Sequence, residues 1–127
     1  MITLSEIRQI IEDLQLSEHT YMGNVDNKKD KSIGIYGRRS ISAFKKAVGG
    51  NDSYNIKEVS LLIHWNKSPG QSEAAAYDIF NAVQEIATEK ILFVKLANNE
   101  PVPIGTDKFG IYEYLIDFDV YYRLEEM

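Results

Sequence analysis

The sequence predicts an α+β domain: a mixed, mostly antiparallel sheet of about five strands with two main helices packed on one face. Three observations carry this. Residues 111–123 alternate, with Tyr112, Tyr114, Ile116, Phe118, Val120 and Tyr122 on one side and Glu113, Asp117 and Asp119 on the other, as a long closing strand requires. Two segments carry apolar stripes at helical spacing behind a capping residue, and neither stripe can be buried without a sheet beneath it.

The first helix spans residues 3–14. Thr3 and Glu6 make a Thr-x-x-Glu capping box, and Leu4, Ile7, Ile10, Ile11 and Leu14 recur on one face. Residues 21–25 and 32–36 follow as short strands, and the polar run Asp26, Asn27, Lys28, Lys29, Asp30, Lys31 between them predicts a hairpin. Residues 38–55 read as a loop, since the short helical pattern of Ile41, Ala43, Phe44, Ala47 and Val48 is broken by Gly49, Gly50, Asn51 and Asp52.

Residues 57–65 predict a central strand, with Val59, Leu61, Ile63 and Trp65 facing one way and Glu58, Ser60 and His64 the other. Leu62 interrupts the polar side, so that face is expected to be partly covered too. Ser68, Pro69 and Gln71 then supply an N-cap, a first-turn proline and a capping-box partner for a second helix, whose stripe is Ala76, Ile79, Phe80, Val83, Ile86 and Ala87. Ala74, Ala75 and Ala76 let it approach the sheet closely. Residues 91–96 predict a strand, 98–107 a turn-rich connection, and 111–123 the closing strand. A crossover through the second helix makes its flanking strands parallel, whereas the hairpin and the last two strands are expected to be antiparallel.

Composition fits one domain over residues 1–127, with 44% hydrophobic and 26% charged residues. The absence of cysteine excludes a disulfide scaffold, a thiolate metal site and a cysteine nucleophile. No stretch approaches the roughly 18 apolar residues of a membrane helix, and no signal-peptide layout opens the chain, so a cytoplasmic site of synthesis and no membrane partner are expected. Charge is segregated: residues 28–46 hold Lys28, Lys29, Lys31, Arg38, Arg39, Lys45 and Lys46 against Asp30 alone, a local +6 that leaves −11 on the rest of a chain of net charge −5. Such a block suits a solvated loop, an acidic surface on a neighbouring copy, or nucleic acid.

Signatures of chemistry are sparse. His19 and His64 belong to no metal-ligand spacing, and no nucleophile elbow, phosphate loop or dinucleotide glycine fingerprint is present. Alternation could set His64 beside Ser60 and Glu58 as a polar relay, but a structural or interface histidine is the expectation. Asp117 and Asp119 are expected on a solvated edge rather than on a cation. No catalytic residue, cofactor or metal is therefore expected, and the chain reads as a non-enzyme. Tyr36, Phe44 and the basic residues of 28–46 leave a small nucleic-acid-binding module as the alternative, against the overall acidity.

The segments ITLSEIRQIIEDL, KSIGIYGRR, VSLLIHWNKS and PVPIGTDKFGIYEYLIDFDVYY, taken together, resemble the minor capsid or tail terminator proteins of tailed bacteriophages and phage-tail-like particles over nearly the whole chain. That resemblance rests on core and turn residues, among them Ile33 to Tyr36, Ile63-His64-Trp65, Gly105-Thr106-Asp107 and Gly110-Ile111-Tyr112. It implies a structural virion protein that caps the head-proximal end of the tail tube as a ring, commonly a hexamer, with the tail tube protein and a head-tail connector protein as partners. It also implies a chain able to remain monomeric before assembly, and no specific nucleic acid. Another head-tail connector or minor capsid assembly protein is the neighbouring alternative. A closed ring needs two different patches that meet on adjacent copies. The expected pairing sets Lys28, Lys29, Lys31, Arg38, Arg39, Lys45 and Lys46 against Asp117, Asp119, Glu125 and Glu126 of a neighbour, or against the tube, so that reversing Arg38 and Arg39 to glutamate abolishes the ring.

Overall fold

The structure, a computed structural model, describes residues 2–23, 29–38 and 54–124. Its elements run α1 (Leu4–Asp13), β1 (His19–Met22), β2 (Ser32–Gly37), β3 (Tyr54–His64), α2 (Pro69–Gln84), β4 (Ile91–Leu96), β5 (Val102–Thr106) and β6 (Tyr112–Arg123). One mixed, mostly antiparallel sheet of six strands has the order β1-β2-β3-β6-β4, with β5 also paired to β6. This is the expected α+β class with one strand more than the sequence suggested. The expected loop and helical turn of 38–55 lie largely outside the described residues.

Both helices begin where their caps predict. The Thr3 hydroxyl accepts from the Glu6 N–H at 3.1 Å while the Glu6 carboxylate accepts from the Thr3 N–H at 3.3 Å, completing the capping box. Ser68 accepts from the Gln71 N–H at 3.3 Å, but the reciprocal half of that box is not made. Asn66 takes the partner's place: its Oδ1 accepts from the Ser68 N–H at 2.9 Å and its Nδ2 donates to Gln71 Oε1 at 2.9 Å.

Period-two alternation sorts the sheet into two faces. Cross-strand partners Ile35, Leu61 and Ile116, then Val59 and Phe118, point inward with Val94 and Val120, and meet Ile7 and Ile11 of α1 and Ile79, Phe80 and Val83 of α2 in one core. Each such side chain taken from water contributes roughly 1.5–3 kcal/mol. Both helices therefore cover the same face, α1 over β1 and β2, α2 over β4 and β6.

Two sequence expectations are corrected. The first strand pair is parallel, with His19 beside Ser32 and Met22 beside Ile35, and not a hairpin. A hairpin would place Met22 next to Ser32. Instead the chain returns to the start of β1, where Lys31, in the left-handed region at φ 54°, accepts from the Glu18 and His19 N–H groups and donates to the Trp65 carbonyl. The connection 98–107 also contains a strand, β5. Pro101, Pro103 and Gly105 disguise it, yet an edge strand tolerates proline, and Gly105 (φ 117°) sits where the β5·β6 register shifts.

β6 is the axis of the fold. β3 pairs along one side of it, and β4 and β5 lie end to end along the other. Because β3 and β4 both run antiparallel to β6, they are parallel to each other on either side of it, as the α2 crossover predicts.

Candidate functional site

The outer face of the sheet, away from the helices, carries the polar chemistry. Residues that alternate outward on β2, β3 and β6 fall into cross-strand rows: Ser32, His64 and Glu113; Gly34, Leu62 and Leu115; Tyr36, Ser60 and Asp117; and Glu58 with Asp119. The Leu62–Leu115 row separates a histidine cluster at one end from an ionic cluster at the other.

In the ionic cluster the Arg38 guanidinium donates to Asp119 Oδ1 at 2.5 Å and lies 3.9 Å from Glu58 Oε2. The Ser60 hydroxyl donates to Asp117 Oδ1 at 2.5 Å. Asp117 and Asp119 thus lie on a central strand, partly buried and hydrogen-bonded, and not on the solvated edge expected of them. Arg38 and Asp119, each assigned to a contact between copies, meet within one chain. Lys29 and Lys31 stay exposed, with Lys31 Nζ 3.9 Å from Glu18 Oε2. Lys28, Arg39, Lys45, Lys46, Glu125 and Glu126 lie outside the described residues.

The histidine cluster was not anticipated. His64 is fully buried, while Ser60 on its own strand donates to Asp117 and Glu58 faces Arg38. His64 Nδ1 lies 2.9 Å from Glu113 Oε2, directly across on β6, and 3.7 Å from Asp107 Oδ2 in the turn before that strand. Asp107 is held by that turn: Oδ1 accepts from the Phe109 N–H at 2.8 Å and the Ile111 N–H at 3.0 Å, and Gly110 supplies the φ of 82° that closes it. Oδ2 is buried and has no hydrogen-bond partner among the described residues. The sequence signal for this cluster was only the outward register of His64 and Glu113; Asp107 enters through a turn whose path register alone does not define.

Burial raises the Asp107 carboxyl, but the Ile111 and Phe109 N–H groups, with His64 and Lys108 nearby, outweigh it and hold the pKa below the ordinary 3.8. A depressed carboxyl contributes stability that is complete above its unfolded value and lost as pH falls through the lower folded value. In chelator-treated protein, Asp107→Asn should therefore flatten the decline in urea midpoint between roughly pH 5 and pH 2. An unchanged slope would show that this carboxylate gains nothing on folding.

Three open clefts formed by described residues lie elsewhere: one lined by Phe80, Asn81, Gln84, Phe93 and Leu96, another between Ile10, Leu14, Ala82 and Ile86, and a third along residues 98–103. None of these three includes His64, Asp107 or Glu113.

The remaining feature is the β5–β6 hairpin. Every β5 residue is exposed, Ile104 at 53%, and Phe109 in its turn is 48% exposed. Among the described residues β5 pairs with β6 alone, so its second edge is open, and β1 forms the opposite edge of the sheet. Among the described residues no helix is long and apolar enough to cross a membrane. In comparison with known proteins, the chain matches no family model and no curated protein.

Proposed function

We propose that the chain is a structural virion protein that caps the head-proximal end of a phage tail tube as a ring, ending tube growth and offering a surface for head-tail joining. The observation that carries this reading is the open β5 edge with its exposed Val102, Ile104 and Phe109. An apolar edge left bare is an aggregation hazard unless a partner covers it. The β1 edge at the far side of the sheet has a different sequence, Met22 being 55% exposed, and two unlike patches on one chain are what a closed head-to-tail ring uses. The resemblance of the sequence to tail terminators points the same way.

The work assigned to the chain is shape recognition, with the tube protein below, the connector above and copies of itself on either side. It is made in the host cytoplasm and resides in the virion. Arg38, engaged by Asp119 and Glu58, is turned away from the role a nucleic-acid platform would give it, which favours assembly over that alternative. Electron microscopy of particles produced without this protein tests the reading. Overlong or uneven tails are expected; tails of normal length that merely lack heads would make it a connector instead.

A further inference from the structure

We propose that His64, Asp107 and Glu113 form a divalent-cation site of the zinc or manganese class that fastens the base of the β5–β6 hairpin to the centre of the sheet. The three residues offer one imidazole nitrogen and two carboxylate oxygens, all within 4.8 Å of one another. Metal–ligand bonds of about 2.0–2.2 Å place neighbouring donor atoms roughly 2.9–3.5 Å apart. Nδ1 already lies 2.9 Å from Glu113 Oε2 and 3.7 Å from Asp107 Oδ2, so an ion needs only to draw the two carboxylates together.

Three features separate this cluster from an ordinary group of surface acids. The histidine is fully buried and the Asp107 and Glu113 side chains are only 12% and 16% exposed, so charge here is poorly screened. Two carboxylates share this small space with the ring, and a divalent ion between them would offset their mutual repulsion, while Lys108 Nζ lies against the Phe109 ring, 5.3 Å from its centroid. Asp107 Oδ2 is buried and, among the described residues, accepts no hydrogen bond, with His64 Nδ1 3.7 Å away; such an orphan is the kind a bound ion satisfies. Its other oxygen and its backbone are fixed by the turn, so the aspartate is oriented before any ion arrives.

Mixed nitrogen and oxygen donors suit Zn²⁺ or Mn²⁺ better than Mg²⁺ or Ca²⁺, which take oxygen alone. On binding, Nδ1 would present its lone pair to the ion, which would replace its direct contact with Glu113 Oε2. The ion would then join β3, the turn and β6 at one point. The inference is independent of the assembly role.

The test uses the full chain stripped with chelator, titrated with ZnCl2, MnCl2 and MgCl2 by calorimetry and followed by thermal melts. One Zn²⁺ per chain is expected, with a higher melting temperature and little response to Mg²⁺. Glu113→Gln and Asp107→Asn keep the side-chain shape, and each should weaken Zn²⁺ binding about tenfold or more. Co²⁺ in the wild-type chain gives a second readout that needs no variant: d–d absorption bands of a nitrogen- and oxygen-ligated ion are expected. Equal Zn²⁺ affinity in the wild type and both variants, or no Zn²⁺ binding together with a Co²⁺ spectrum like that of the aqueous ion, would overturn the site and leave the cluster a hydrogen-bonded clasp.

Discussion

Arg38→Glu is expected to destabilise the folded chain by about 2–4 kcal/mol, read as a lower urea midpoint. The arginine is 25% exposed, while Asp119 and Glu58, which face it, are 16% and 11% exposed. Removing the guanidinium leaves two partly buried carboxylates without that donor, and a third carboxylate at the same position adds repulsion. Residual solvent access keeps the cost somewhat below that of breaking a fully buried pair. Asp119→Arg on top of Arg38→Glu should recover part of the loss, since the cycle restores an opposite-charge pair across the same two positions. A midpoint unchanged in Arg38→Glu would mean that the pair does not form in solution. This bears on assembly as well. A ring lost on reversing Arg38 reports on folding before it reports on contact between copies, so Arg38 cannot serve as the interface probe that its sequence position suggests.

Ile104→Asp is the cleaner probe, and it should abolish the ring while leaving the monomer folded. Ile104 is 53% exposed on an edge strand, so its replacement should alter monomer stability by no more than about 0.5 kcal/mol. At a contact the same change sets a charge against an apolar patch, at a cost of about 2 kcal/mol or more for an anchoring residue. A closed ring repeats that loss at every interface, so assembly should fail sharply. Native mass spectrometry gives the oligomer and circular dichroism the fold; Phe109→Ser, at the hairpin turn, should act in the same direction. Rings of wild-type abundance from Ile104→Asp would remove β5 from the contact and, with it, the observation on which the proposed function rests.

Much of this architecture could be read from the order of residues because its causes are local. Thr3 with Glu6, and Ser68 with Pro69, mark helix starts through bonds that reach only three residues along the chain. The alternation from Tyr112 to Tyr122 assigns each side chain of β6 to a face, and Ile116, Phe118, Val120 and Tyr122 are buried as that alternation demands. Residues 98–107 conceal their strand for an equally local reason: Pro101, Pro103 and Gly105 are poor strand formers, and only the neighbouring β6 makes β5 a strand. The parallel course of β1 and β2 was hidden similarly, since a polar run such as 26–31 permits a tight reversal or a longer return and holds no record of which occurs.

What the sequence determined alone is both helices, every strand but β5, the inward faces of these elements and the charge they carry, since periodicity and capping act over a few residues. Only the tertiary structure decided which charges meet. Arg38 and Asp119 are 81 positions apart, and His64 and Glu113 are 49 apart. Their pairing depends on strand order and register, which are set by burying the whole core at once and not by any segment of it.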